Sequence, residues 1–492
     1  MKRSSGILLH ISSLPSPYGV GNMGQAARDF IDFLHEAGQR CWQLLPISPT
    51  GFGDSPYQAA SAFAGNPYFL DPDRFVQEGL LTQADLAGNW GGNPEETDYG
   101  LLYEKRLPLL RRAFQNDHLT TEFDQFCQAE ASWLDDYALF MAVKKRFGGA
   151  PWLDWDADIR LRKREAMARY RRELAEEIRF QQWLQFRFFG QWQALRDYAR
   201  EKDVAIIGDI PIYVPVDSAD VWSDPDSFQL KRNRRPKVVA GCPPDAFTKN
   251  GQYWGNPIYD WEKMKADGFG WWLRRVGAAA RFFDVVRIDH FRGIESYWSI
   301  PAHHKTARHG QWVKGPGIAL IDAIKKAYPD TQFIVEDLGF LTPEVVQLVK
   351  DSGFPNMKVL EFAFDSREPS NYLPHTYDTN CVCYTGTHDN ATLRQWYEQS
   401  SENDRDRNYA RKYMGISEGE DFCKAIIQLG MNSKADLFVC QMQDYLDLGG
   451  ESRMNLPGSL NTRNWRWRMK PGAASQELAR EIAALAKASG RA

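Results

Sequence analysis

Four carboxylates stand in the same local setting in this 492-residue chain. Asp209, Asp289, Glu336 and Asp389 each lie at the end of a short apolar run: VAIIGDIPIY from Val204, FDVVRIDHF from Phe283, FIVEDLG from Phe333 and CVCYTGTHD from Cys381. One acid so placed reads as a helix cap or a turn residue; four in the same slot read as a site. Paired carboxyl groups suit cleavage of a glycosidic bond. Its oxocarbenium-like transition state needs one carboxylate below the sugar ring and one carboxylic acid beside the leaving oxygen. Asp289 follows Arg287 by two residues, so strand alternation puts both on one side, and a neighbouring guanidinium favours the charged form that a nucleophile needs. Glu336 closes the next run and has the longer side chain, which suits the acid/base, whose pKa must be tuned upward. His388 and Asp389 could grip sugar hydroxyls and steady the ring as positive charge develops. Carboxylates at such positions also bind magnesium or manganese, with His388 as a further ligand. Arg287 within the group would repel that cation.

Eight apolar, β-rich runs must position these groups. Besides the four above they are GILLHIS from Gly6, CWQLLPIS from Cys41, KVLEFAF from Lys358 and DLFVCQMQDY from Asp436. Continuous rather than alternating hydrophobicity is the mark of parallel strands buried on both faces. Helical patterns fall between them: RDFIDFLHEAG over 28–38 closes on a glycine, and PEVVQLVKDSG over 343–353 opens on a proline. The βα rhythm predicts a (β/α)8 TIM barrel, whose active site lies at the C-terminal face where strand ends converge. Two gaps exceed simple connections. The expectation is a single catalytic barrel over 1–492 with a mostly helical insertion at about 50–203 and a lid-bearing insertion at 216–280.

A net charge of −4 lacks the basic footprint of a nucleic-acid binder. The arginine-rich stretch 160–172 is interleaved with Glu165 and Glu173 and reads as a solvated helix face. Seven cysteines, an odd number in a large chain, point to a reducing compartment rather than a disulfide framework. Cys381 and Cys383 should share one face of a strand as core thiols. The apolar stretch after the N-terminus is too short for a secretory signal, and no run approaches the ~20 residues of a membrane span. The expectation is a soluble, cytoplasmic protein with no membrane association.

VVRIDHFRGI, FIVEDLG and YTGTHDN resemble the catalytic blocks of the α-amylase clan. The finer pattern resembles the amylomaltases, the 4-α-glucanotransferases of glycoside hydrolase family 77. GFGDSPYQAASAFAGNPYFLD from Gly51, GDIPIYV from Gly208, GCPPDAFTKNGQYWGNPIYDW from Gly241 and PGSLNTRNWRWR from Pro457 are similar to further blocks of that family. The resemblance runs from Gly6 to about Arg468. It implies Asp289 as nucleophile, Glu336 as acid/base and Asp389 as transition-state stabiliser. It also places Tyr57, Asp209, Arg287 and His388 around the glucose at the cleaved bond. It makes the block from Gly241 a lid, with Phe247, Gln252, Trp254 and Asn256 facing the glucan, and brings Asn464 to the sugar. The tryptophans of NWRWR read as a packed strap. The implied substrates are maltooligosaccharides and α-1,4-glucans, with no cofactor. An α-glucan hydrolase using the same carboxylates, and a metal-dependent barrel isomerase or lyase, are the alternatives.

Overall fold

The computed structural model describes residues 2–244, 249–339, 341–367, 370–399, 404–459 and 463–492. Its strands, in chain order, are β1 (Ser4–Leu8), β2 (Cys41–Gln43), β3 (Ala205–Ile210), β4 (Val238–Cys242), β5 (Gln252–Pro257), β6 (Val285–Ile288), β7 (Ser296–Pro301), β8 (Gln311–Lys314), β9 (Gln332–Val335), β10 (Asn356–Val359), β11 (Cys381–Tyr384) and β12 (Leu437–Gln441). Each of the eight apolar runs supplies one strand of a closed parallel barrel, in the order β1-β12-β11-β10-β9-β6-β3-β2. The fold is a (β/α)8 TIM barrel.

Double-sided burial explains the unbroken hydrophobicity of the runs. Ile207, Val285, Ile334, Val382, Tyr384 and Val439 fill the barrel interior. The residues between them, such as Val286, Cys383 and Phe438, face the surrounding helices. Cys381 and Cys383 do share a face: both are free, buried thiols on the outer side of β11. The first predicted helix spans Gln25–Glu36, three residues earlier than its apolar pattern suggested, and the chain leaves it through left-handed Gly38 (φ +65°). The second spans Pro343–Ser352, capped by Thr342 and closed by left-handed Gly353. Among the described residues, no helix is long and apolar enough to cross a membrane.

Residues between β2 and β3 form a run of helices ending in Ala175–Glu201, which lies against the first helix and β3. The arginine-rich stretch is not one solvated face. It breaks at left-handed Arg162, whose guanidinium pairs with Asp136 at 2.9 Å and covers the Trp222 ring at 4.3 Å. Above the barrel mouth stands an antiparallel sheet in the order β5-β4-β7-β8. It draws two strands from before β6 and two from after it. Sequence patterning missed it because its strands are short and mix polar with apolar residues, so none of them forms an unbroken apolar run.

At the N-terminal end of the barrel two arginines act as a clasp. Arg491, fully buried, donates to the carbonyls of Ser4, Met431, Ser433 and Ala435. Arg3 donates to Met431, Ser433, Ala435 and Ser489. Helix Phe422–Asn432 ends here, so these side chains satisfy carbonyls that its last turn leaves open.

Candidate active site

The site is built from strand register. β3 pairs with β6 so that Asp209 lies opposite Arg287, and both side chains enter the barrel at one level. One terminal nitrogen of Arg287 donates to both Asp209 oxygens at 2.7 Å and reaches Asp289 Oδ1 at 2.9 Å. The Tyr57 phenol donates to Asp209 Oδ2 at 2.6 Å. Exposure separates the two aspartates: the Asp209 side chain is 1% accessible and that of Asp289 is 25%. Asp209 is therefore structural floor, while Asp289 opens to the cleft. Burial works against the Arg287 charge, but Asp209 and Asp289 outweigh it and hold the guanidinium well above its ordinary pKa. Burial and the neighbouring Asp209 charge likewise keep the Tyr57 phenol protonated, so it remains a donor.

Glu336 stands one strand along, just past β9, where Val335 is the register partner of Ile288. Its Oε2 accepts from the His290 N–H at 2.7 Å and its Oε1 from the Leu338 N–H at 2.6 Å. Those donors and Arg287 favour the carboxylate. Burial, followed by the charge of Asp289, wins and pushes the Glu336 carboxyl up to about 8. His290, which gives its N–H to Glu336, is itself left-handed (φ +51°), so the chain turns sharply just past this contact. Its ring meets Trp254 edge-on at 4.8 Å, and burial lowers its pKa to about 4, so the imidazole is neutral at pH 7.

Asp389 sits on a loop beyond β11. Asn390 holds that loop by accepting from the Thr387 N–H and hydroxyl at 2.9 and 2.8 Å. Asp389 Oδ1 accepts from Asn455 at 2.6 Å and lies 3.3 Å from His388 Nε2. Arg453 donates to its backbone carbonyl at 2.5 Å. The His388 ring stacks on Tyr57 at 5.0 Å, and Trp465 leans on both. Behind this loop are two acids, half-buried Glu361 and buried Asp444, pushed by desolvation to about 8 and about 7. Asp444 accepts from the Thr385 hydroxyl at 2.6 Å and the Leu393 N–H at 2.8 Å, fixing both ends of the loop.

Tyr57, Asp209, Arg287, Asp289, His388 and Asp389 thus form one chain of contacts, joined by Glu336 on the adjacent strand end. Gln252 and Trp254 lie two residues apart on β5, and the Trp254 indole N–H donates to Gln252 at 3.1 Å; an irregularity at left-handed Gly255 (φ +77°) separates them from Asn256, which is buried. Phe247 lies outside the described residues. The Asn464 amide engages the neighbouring loop, accepting from the Leu456 N–H and donating to the Ser459 carbonyl, both at 3.1 Å. Sequence reasoning missed His290, Arg453, Asn455 and Trp465. His290 acts through its backbone N–H, which residue type does not reveal, and Trp465 is buried as a strap residue should be but also packs on Tyr57 and His388. Among the described residues, no group of three or more His, Cys, Asp or Glu is arranged to hold a metal ion.

Residues 9–475 match the sequence profile of glycoside hydrolase family 77, described as 4-alpha-glucanotransferase. The chain belongs to this family. The 4-alpha-glucanotransferase of Clostridium butyricum is 46% identical over 98% of this chain and 100% of its own. That of Thermus thermophilus is also 46% identical, over 100% and 99%. An amylomaltase from Streptococcus agalactiae, solved with acarbose, superposes with a TM-score of 0.96 at 39% identity over the whole of both chains. Full-length likeness at this level makes the chain a glucanotransferase and sets aside the hydrolase and metal-dependent readings.

Proposed function

We propose that this glucanotransferase moves α-1,4-glucan segments by retaining double displacement, with Asp289 as nucleophile and Glu336 as acid/base. One observation carries the assignment: a carboxylate open to the cleft and bonded to Arg287 sits one strand end from a buried carboxyl that keeps its proton at neutral pH. Asp289 attacks the anomeric carbon while Glu336 gives its proton to the departing glycosidic oxygen. The product is a β-glycosyl ester on Asp289 and a glucan with a free 4-hydroxyl. The 4-hydroxyl of an acceptor glucan then loses its proton to Glu336 and displaces Asp289, restoring the α linkage. Asp389, set beside His388, binds ring hydroxyls and supports the oxocarbenium character. Tyr57, Asp209 and Arg287 hold the floor against which the sugar packs. Maltooligosaccharides and α-1,4-glucans are the substrates, and every proton in this scheme has a donor without a metal or cofactor. Residues 50–203 and 216–280 act as insertions on one catalytic barrel.

The pH profile tests the acid. A carboxyl whose pKa is raised in the native state is protonated below it and ionised above it. The acid form is therefore present up to about pH 8 and lost beyond. kcat/KM, which reports the free enzyme, should fall on the alkaline side with an apparent pKa near 8. An alkaline limb unchanged in Glu336→Gln residual activity would assign it elsewhere. Stability follows the same sign: the Glu336 contribution is complete at acid pH, below the unfolded carboxyl value, and lost as pH rises through about 8.

Transfer rather than hydrolysis requires that an acceptor sugar be held and water kept out. Trp254, half-buried on β5 and braced by His290, offers a ring face, and Gln252 fixes its indole. Asn256 adds to this acceptor surface, with Asn464 at the opposite loop; Phe247, outside the described residues, is assigned to it on the family resemblance alone. Trp254→Ala should raise glucose release relative to oligosaccharide transfer several-fold in maltotriose digests. An unchanged ratio in a folded variant would reduce Trp254 to packing.

A further inference from the structure

The sheet over the barrel mouth has two unlike faces. Ala240, Trp254, Tyr297 and Val313 point inward and join the main core. On the other face, register aligns a single row across all four strands: Tyr253 opposite Gly241, Gly241 opposite Trp298, and Trp298 opposite Trp312. Directly opposed residues share a face, so this row carries three aromatic rings separated by one glycine. Three strand spacings of about 4.8 Å put its ends roughly 14 Å apart. Beside it on the same face lies a satellite cluster of Val239, Ile300 and Ala307. The rings at the two ends remain accessible: Tyr253 is 38% exposed and Trp312 is 41%. Each is also held in place. The Trp298 indole donates to the Ala307 carbonyl at 2.8 Å, the Tyr253 hydroxyl reaches the Ala302 carbonyl at 3.4 Å, and Arg292 backs the Trp312 ring at 3.9 Å.

We propose that this outer row is a second, non-catalytic binding surface for α-1,4-glucan chains. Exposed aromatic rings fixed on a rigid sheet lose little conformational entropy on binding, and their faces match the apolar C–H faces of successive glucose units. The occupant follows from continuity. β5 presents Gln252 and Trp254 to the catalytic cleft and Tyr253, between them, to the outer row. A polymeric substrate passing the lid edge therefore meets both faces of one strand. The row adds no charge of its own, as suits a neutral polymer. This inference rests on the transferase reading above and extends it to long substrates.

The test is affinity electrophoresis in gels containing glycogen. The proteins carry Asp289→Asn to stop turnover, and saturating maltotriose occupies the cleft. Tyr253→Ala and Trp312→Ala should each weaken retardation by glycogen several-fold, and together by roughly tenfold or more. Tyr253→Ala is the cleaner arm, because Trp312 also packs on Arg292. Maltotriose transfer by proteins that keep Asp289 and carry the single substitutions serves as the control and should hold. Unchanged glycogen affinity in a folded double variant overturns the surface, as does a loss of maltotriose transfer parallel to the loss of binding. A dimer in size-exclusion chromatography that dissolves in the double variant without change in glycogen affinity would make the row a self-association face instead. Absence of transfer by the unsubstituted protein would sink the active-site reading, a result distinct from either.

Discussion

Asp289→Asn should abolish glucan transfer, lowering kcat on maltotriose by roughly 10³–10⁵-fold, because removing one essential catalytic group costs orders of magnitude in rate. An amide is isosteric with the carboxylate but cannot form the glycosyl ester. The change should be silent elsewhere. Arg287 keeps its two bonds to Asp209, so no buried charge is stranded, and the Asp289 side chain is already a quarter exposed. Product analysis by chromatography with a thermal melt alongside checks both halves. Turnover near the unsubstituted level would remove Asp289 from the chemistry, and a collapse in melting temperature would mean the residue is holding the floor together.

Glu336→Gln should separate the two half-reactions. With ordinary maltooligosaccharides the variant should lose roughly 10²–10⁴-fold in rate, the range that one positioned acid/base supplies. A donor with a good leaving group, such as a maltosyl fluoride, needs little protonation, so the first displacement proceeds. The second still lacks its base, and the glycosyl ester accumulates. Mass spectrometry of a proteolytic digest should find the added sugar on the peptide containing Asp289. A label on Asp389 or Asp209 would reverse the assigned roles. The substitution keeps one of the two backbone contacts, since the single amide oxygen can accept from either the His290 or the Leu338 N–H, and leaves the other N–H facing the amide NH2, so a thermal melt accompanies the kinetics.

The barrel was legible because burial on both faces gives each of its strands an unbroken apolar run, and eight such runs leave little choice of architecture. The carboxylates were legible for the related reason that charge at the end of an apolar strand is conspicuous. The lid sheet was not. β7 and β8 read SYWSIP and QWVK, mixed stretches without an unbroken apolar run; β7 pairs with β4 across the whole of β6 and its helix, and β8 pairs with β7. The supporting shell was equally hidden. Asn455 and Arg453 reach Asp389 from more than sixty residues away, and nothing local in their sequence marks the contact. His290 shows a third kind of gap, in which the residue type is visible but the backbone N–H that it gives to Glu336, and its left-handed conformation, are not. Strand rhythm reports burial, whereas the support of a site depends on loops that meet only after the barrel has closed.

That closure has a consequence for how the molecule is made. β1 hydrogen-bonds to β12, more than four hundred residues later, and the clasp on the pair needs residue 491 as well as residue 3. During synthesis the first strand leaves the ribosome with one edge unpaired, and that edge stays open until nearly the whole polypeptide has followed. Contacts of such long sequence separation form late and slowly, and the waiting intermediate exposes apolar strand edges on which chains can aggregate. The interval between translation of β12 and closure of the arginine clasp is therefore the stage at which a chaperone or a lower growth temperature has most to act upon.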